Sequence, residues 1–202
     1  MGKQIIINVG RQFGSGGKSV ASELGRMLDI PVYDNELIIK AAAESGFSPE
    51  LFRRSDEHKF LFGMGRRGSA IADEDLFRIQ SDTIRHIADS GSAVFVGRAS
   101  DYVLRDRDCC VDVFVCAPLE ARLARVCERM GIGEEEARKL IRSRDKGREE
   151  YYNFFTFSNW GVAANYDLCV DSSLLGIEKT AEFIIEFCRM RGLLPEENAQ
   201  RR

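Results

Sequence analysis

The 202-residue sequence has no apolar run near the roughly 20 residues that a membrane-spanning helix needs, and its first residues lead into a short β-type run. We therefore expect a cytoplasmic protein with no signal peptide and no membrane partner. The sequence also lacks an excess of positive charge, because 29 basic and 32 acidic side chains leave a net charge of -3. No global field favours nucleic acid as a partner, so any anion site has to be local.

Signals for metal binding and for disulfides are weak as well. The six cysteines contain no CxxC pair, and most of them lie within apolar strand or helix patterns, so we expect reduced core thiols. With only two histidines in the chain, the same spacing argues against a zinc site.

Short apolar runs alternate with amphipathic segments along the chain. Strands are predicted at residues 4–9, 31–33, 93–96, 111–115 and 166–170, with later helices near residues 69–88, 119–130, 134–148 and 177–190. This alternation favours a parallel sheet with helices on both faces, in a single domain over residues 1–194. The period is lost between residues 44 and 70, which predicts an insert, and residues 195–202 are expected to form a flexible tail.

A glycine-rich turn follows the first predicted strand. The segment Gln12-Phe13-Gly14-Ser15-Gly16-Gly17-Lys18-Ser19 has the Walker A spacing, except that Gln12 replaces the first glycine. The glycines allow backbone N-H groups to point at phosphate oxygens, and the helix that follows adds its positive N-terminal end. The segment therefore predicts an ATP site formed by Gly14, Ser15, Gly16, Gly17, Lys18 and Ser19. Lys18 would contact the β- and γ-phosphates, and the hydroxyl of Ser19 would bind Mg²⁺.

The structural alternative is that this Gly/Ser turn is only a flexible connection. The apolar strand before it, the amphipathic helix after it and the Lys-Ser pair at the Walker A offset favour the phosphate site. The glycine spacing does not give GxGxxG, which argues against a dinucleotide site.

Two sets of arginines lie at helical spacing in the second half of the chain. They are Arg122, Arg125 and Arg129 in one predicted helix and Arg142, Arg144 and Arg148 in the next. Glutamates alternate with them, so solvated helix faces are the structural alternative. Because a bound triphosphate needs cations that close over it, we favour a catalytic role for Arg122, Arg125 and Arg144.

Three further side chains are candidates for contact with an acceptor. Arg98 follows a predicted strand, at the edge where open α/β sheets bind ligands, although it could equally be a surface arginine paired with Asp101. Asp34 ends another strand and is either a helix N-cap or an acceptor ligand. Lys40 lies on the helix that Asp34 opens, where a lysine is usually only solvated.

Taken together, these segments resemble the cytidylate kinases, and more closely the bacterial cytidylate kinase-like proteins. The resemblance lies in the loop that begins at Arg11, in Ile30-Pro31-Val32-Tyr33-Asp34, Val96-Gly97-Arg98, the Arg122/Arg125 helix, Arg144-Asp145, and the run Asp167-Leu168-Cys169-Val170-Asp171-Ser172-Ser173. It implies a P-loop NTPase fold: three α/β/α layers, a five-stranded parallel sheet, a helical acceptor-binding insert and an arginine-rich lid at residues 130–160.

The same resemblance implies a kinase that moves phosphate from ATP, with Mg²⁺, to a pyrimidine nucleoside monophosphate. CMP or dCMP is the expected acceptor. Asp34, Lys40, Arg98 and Arg148 would bind the acceptor, while Arg122, Arg125 and Arg144 would close on the phosphates.

This chain departs from cytidylate kinases at several acceptor positions. They have Thr-Gly or Ser-Gly where this chain has Asn35-Glu36, an arginine at Lys40, and Gly-Arg-Asp where it has Gly97-Arg98-Ala99. These changes leave open a P-loop kinase of another small metabolite or nucleoside.

A third hypothesis is that the chain is a nucleotide-responsive binding protein with little catalysis. It is suggested by Gln12 and by the aromatic segment at residues 151–160. The alternative for these aromatics is packing within a lid or in a contact between two copies of the chain.

Overall fold

The computed structural model describes residues 4–44 and 70–196 of the chain. The strands are β1 (Ile6–Arg11), β2 (Val32–Tyr33), β3 (Ala93–Val96), β4 (Cys110–Cys116) and β5 (Leu168–Asp171). The helices are α1 (Gly17–Leu28), α2 (Asn35–Glu44), α3 (Ala70–Ser90), α4 (Ser100–Val103), α5 (Leu119–Met130), α6 (Glu134–Thr156) and α7 (Ser172–Met190), with a 3-10 turn at Ala163–Asn165. The predicted insert lies, apart from its two end residues, outside the described residues.

The strands form one parallel sheet in the order β2-β3-β1-β4-β5, which confirms the five-stranded parallel sheet. Val9 of β1 pairs with Val96 on one side and with Val113 on the other. The loop after β1 therefore leaves the sheet between the carboxyl ends of β3 and β4. The order reverses at β1, and such a switch point opens a crevice for ligands at the carboxyl edge.

The sheet separates two apolar clusters, because successive side chains of a strand point to opposite faces. Ile7 and Val9 face the cluster formed with α1 and α7, whereas Ile6 faces the cluster formed with α2, α3 and α4. A third, smaller cluster joins α5 to α6 through Val126 and Ile141 and includes Phe13 of the loop. Three layers result, with the α5-α6 pair attached beside the glycine loop.

Two predicted helix boundaries are wrong. Helix α6 does not end near Arg148 but continues to Thr156, because its last turns pack on α3 and α4. The ring of Phe155 stacks on Phe77 at 4.1 Å, and the hydroxyl of Tyr152 donates to Asp101 at 2.7 Å. Two other aromatic side chains of this region, Phe154 and Phe157, are exposed.

The last helix begins at Ser172, earlier than the predicted residue 177. Asp171 caps it by accepting a hydrogen bond from the backbone N-H of Ser173 at 2.8 Å. Gly176, at φ 77°, interrupts the helix, so the apolar pattern of the later turns does not extend to the first turn.

All six cysteines are free, as expected from their spacing, but only Cys110 and Cys188 are buried. Cys169 is exposed, so the expectation of core thiols is wrong for that residue. Among the helices of the described residues, none has the length and apolar character needed to cross a membrane.

Candidate active site

The glycine loop at residues 12–16 connects β1 to α1 and is open at the start of the helix. Gly14 and Gly16 have φ values of 80° and 81°, in the left-handed region that side chains disfavour. Gly16, the N-cap residue of α1, has no side chain to cap the helix, and the first turn carries no acidic residue. The N-H of Gly17 has only a long hydrogen bond to Ser15 Oγ, at 3.4 Å. The free N-H groups and the helix dipole therefore attract an anion, and Lys18 and Ser19 lie on the same turn.

Lys18 and Asp34 form an ion pair across the carboxyl edge of the sheet. Lys18 Nζ lies 2.6 Å from Asp34 Oδ2, with the lysine side chain 71% exposed and the aspartate 16%. The other carboxylate oxygen accepts hydrogen bonds from the N-H groups of Glu36 and Leu37, so Asp34 also caps α2. Burial raises the pKa of Asp34, but these hydrogen bonds and Lys18 lower it overall. Asp34 thus has the N-cap role weighed for it in the sequence, while its contact with an acceptor stays a prediction.

Arg125 binds the glycine loop through a backbone carbonyl group. Its Nη1 donates to the carbonyl oxygen of Ser15 at 2.9 Å and to Ser172 Oγ at 2.9 Å, while Ser172 Oγ also donates to Ser15. In a trans peptide the C=O and the next N-H point in opposite directions. The cation of Arg125 therefore lies on the side opposite to the N-H of Gly16.

Arg122 acts on the loop together with Asp145 of α6. Arg122 Nη1 lies 2.5 Å from Asp145 Oδ2 and 3.3 Å from the carbonyl oxygen of Phe13. Asp145 Oδ1 accepts the backbone N-H of Phe13 at 2.6 Å. One carboxylate thus joins α5, α6 and the glycine loop.

Arg98, which follows β3, and Arg148 of α6 lie close enough to interact electrostatically. Three consecutive residues after β3, Gly97, Arg98 and Ala99, have positive φ values of 72°, 61° and 52°. Such strain in non-glycine residues is often found at binding sites. The guanidinium of Arg98 lies 4.3 Å from the ring centre of Tyr151 on α6. Burial lowers the pKa of Arg148. The ion pair with Asp145 raises this pKa, but the nearby cations Arg144 and Arg98 lower it further.

The remaining predicted site residues are exposed. Lys40 lies on α2, Ser19 on the first turn of α1, and Arg144 on α6 immediately before Asp145. Of the three, Ser19 lies beside Lys18 at the start of α1. The roles of Lys40 and Arg144 stay predictions.

The sequence predicted no role for three residues that lie against the glycine loop or Gly97: Arg11, Asp145 and Ser172. All three belong to segments that carry the family resemblance, which was the one available signal. Asp145 and Ser172 contact the loop only through the tertiary structure, at sequence separations of 132 and 157 residues.

An uncapped helix behind a glycine loop, at the carboxyl edge of a parallel sheet of this order, defines a P-loop kinase fold. Solved structures agree. The crystal structure of shikimate kinase from Bacteroides thetaiotaomicron has a TM-score of 0.55 over 92% of this chain and 99% of its own, at 15% identity. The crystal structure of an uncharacterized protein from Eubacterium ventriosum is more similar, with a TM-score of 0.75, 29% identity, and coverage of 92% of this chain and 99% of its own.

Sequence comparison then defines the family. Residues 6–174 match the model of the cytidylate kinase-like family, and the chain belongs to that family. The cytidylate kinase of Methanopyrus kandleri is 26% identical over 185 residues, which cover 87% of this chain and 89% of that enzyme. The fold and the family together make this chain a P-loop kinase.

Proposed function

We propose that the protein transfers the γ-phosphoryl group of ATP to a nucleoside monophosphate, with CMP or dCMP as the acceptor. One observation carries the proposal: Arg11, at the end of β1, lies near Arg98, Arg148 and Asp34, and Asp34 pairs with Lys18 at the open N-terminus of α1. A triphosphate and a second phosphate can be neutralised there side by side. The cytidylate kinases among its relatives support the choice of acceptor.

The donor side of this proposal consists of the glycine loop and the start of α1. The N-H groups of residues 14–19 would hold the β-phosphate, and Lys18 would leave Asp34 to contact the β- and γ-phosphates. The Ser19 hydroxyl and the Asp34 carboxylate are oxygen ligands of the kind that Mg²⁺ takes beside phosphates. A bound Mg²⁺ would neutralise charge on the β- and γ-phosphates of ATP.

The chemistry needs few groups from the protein. An oxygen of the acceptor phosphate forms a bond to the γ-phosphorus, while the bond from that phosphorus to the β,γ-bridging oxygen breaks and leaves ADP with the electron pair. A phosphate monoester has its second pKa near 6, so at neutral pH the attacking oxygen already lacks a proton. No general base is required, and positioned cations supply most of the rate enhancement.

The arginines of α5 and α6 divide into two groups in this mechanism. We assign Arg122 and Arg125 to positioning, since they hydrogen-bond carbonyl oxygens of the loop, in place of the direct phosphate contact suggested by their spacing. Exposed Arg144 and half-buried Arg148 are the cations of α6 that would approach the phosphates.

A second candidate is the same transfer to a different small acceptor. Asn35 occupies a position where cytidylate kinases have Ser or Thr, and its Oδ1 already accepts a hydrogen bond from Gln80 at 2.9 Å. Because the Asn35 side chain is already hydrogen-bonded to Gln80, it favours an acceptor other than CMP or dCMP.

The test is ADP production from MgATP with CMP, dCMP, UMP, AMP, GMP or no acceptor. We expect stimulation by CMP or dCMP, and we expect Lys18→Ala to lower kcat by about a hundredfold or more. Lys139→Ala is the matched control, because Lys139 is exposed on α6 and pairs with Glu135, one turn earlier, at 2.8 Å. Stimulation by other acceptors alone would select the second candidate, and turnover insensitive to Lys18→Ala would remove Lys18 from the mechanism.

A further inference from the structure

Arg11, the last residue of β1, lies across the carboxyl edge of the sheet in a groove made by two glycines. A Cβ atom added at Gly17 would come within 2.5 Å of Arg11 Cβ, and one added at Gly97 within 1.8 Å of Arg11 Nη1. The side chain therefore runs from the glycine loop to the end of β3, along a path that is open only because both positions lack side chains.

More positive than negative charge surrounds the guanidinium of Arg11. Burial and the neighbouring cations Arg148 and Arg98 lower its pKa to about 9, and Asp34 alone raises it. Asp145 is already paired with Arg122 and Arg148. Within residues 4–44 and 70–196, no carboxylate lies within ion-pair distance of Arg11.

Such a cluster is unfavourable without an anion. Three guanidinium groups repel one another, and burying a cation without a partner carries a desolvation penalty. An oxyanion among them would remove both penalties, and guanidinium groups match the geometry of phosphate oxygens. The backbone of Gly97 and Arg98, which has positive φ values, sets the position of Arg98 in this cluster.

We propose that Arg11, with Arg98 and Arg148, binds the phosphate group of the acceptor. The inference rests on the proposed monophosphate kinase function and adds to it a residue that neither the Walker A spacing nor the lid arginines include. The acceptor is the assigned source because the Arg11 guanidinium lies at Gly97, just after β3, and near Asp34, just after β2. The N-H groups that would hold ATP lie on the other side, at the start of α1.

The first test compares wild type with Arg11→Gln and Arg11→Lys. We expect Arg11→Gln to raise the KM for the accepted monophosphate about tenfold or more, with the KM for ATP within about twofold, because a charged hydrogen-bonded contact is lost on the acceptor side only. Arg11→Lys should restore part of the loss. The control is Arg26→Gln, since Arg26 lies on α1 and pairs with Glu23. An unchanged acceptor KM, or an equal rise in the KM for ATP, would overturn the assignment.

A second variant moves Arg11 without removing its charge. Gly97→Ala places a Cβ on the Arg11 guanidinium, so we expect the same selective rise in the acceptor KM. Gly192→Ala is the matched control, because Gly192 also has a positive φ, of 69°, and a Cβ there has no neighbour within 4 Å. Equal kinetics for both alanine variants would contradict the proposed position of Arg11.

A binding experiment separates this inference from the proposed function. If no monophosphate stimulates ADP production by the wild type, the function fails, and titration calorimetry with inorganic phosphate then decides the role of Arg11. The comparison is between Lys18→Ala, which weakens the ATP site, and the double variant Lys18→Ala/Arg11→Gln. About tenfold weaker phosphate binding by the double variant supports the anion site, whereas equal binding, or none in either protein, overturns it.

Discussion

Asp145 of α6 accepts the backbone N-H of Phe13 at 2.6 Å, so a residue of the predicted lid region is bonded directly to the glycine loop. The same carboxylate pairs with Arg122 at 2.5 Å and with Arg148 at 3.3 Å. The side chains of Arg122 and Asp145 are only 11% and 18% exposed. The charge of Asp145 thus compensates two cations, and its removal should affect stability and ATP binding together.

Asp145→Asn should lower the free energy of unfolding by about 2 to 4 kcal/mol, because a largely buried arginine loses its partner. The KM for ATP should rise, because the loop loses its connection to α6. Urea denaturation and steady-state kinetics measure the two effects. Asp82→Asn is the control, since Asp82 forms an exposed pair with Arg85, and its effect should stay within about 1 kcal/mol. Equal stability of the two variants would show that the buried pair contributes little.

Gln12 occupies the position of the missing Walker A glycine and has a structural partner. Its Oε1 accepts a hydrogen bond from the backbone N-H of Ala117 at 3.2 Å, and its own N-H donates to Val115 at 3.1 Å. Gln12→Ala should destabilise the protein by about 1 to 2 kcal/mol, because the buried N-H of Ala117 loses its acceptor. Gln12→Gly should destabilise it more, because glycine loses more backbone entropy on folding.

Thermal melts of the two Gln12 variants measure this effect, and the KM for ATP measures its consequence for the loop. A rise in activity with Gln12→Gly would mean that glutamine impairs the site, contrary to our expectation.

Asp112 of β4 predicts a pH dependence of stability. Burial, with Asp101 and Asp167, raises its pKa to about 6, against the effects of Asn8 and Arg191. The unfolded chain releases this proton near pH 4, so the folded state binds more protons between about pH 4 and pH 6. Its contribution to stability therefore falls as pH rises through this range and is lowest above pH 6.

Asp112→Asn should make the protein more stable by about 1 to 3 kcal/mol at pH 8 and should have little effect at pH 4. An asparagine at this position can still accept the hydrogen bond that Asn8 Nδ2 donates at 2.8 Å. Urea denaturation at pH 4, 6 and 8 tests the prediction. A stability difference that does not change with pH would rule out this account of Asp112.

The sheet was predictable from the sequence because each strand is a short apolar run bounded by turn residues. The bounds of β3 were predicted correctly, and those of β1 were displaced toward Gln4. Local pattern does not reveal that the Ile5 N-H is bonded to the side chain of Ser92, rather than to a neighbouring strand.

The glycine loop and its lysine were also predictable, because all of the residues that form this motif are neighbours in the sequence. The role of Arg11 could not be read in this way. An arginine at the end of a strand is common, and its contact with Gly97 exists only once β1 and β3 are aligned with Val9 opposite Val96. The partners of Asp145 likewise depend on how α5 and α6 pack against the loop.

The bond from Ser172 to Ser15 links residues 157 positions apart. During synthesis Ser15 is made long before Ser172, which follows only after β5. The glycine loop therefore acquires the last of these contacts only after the segment from α1 to the start of α7 has been made.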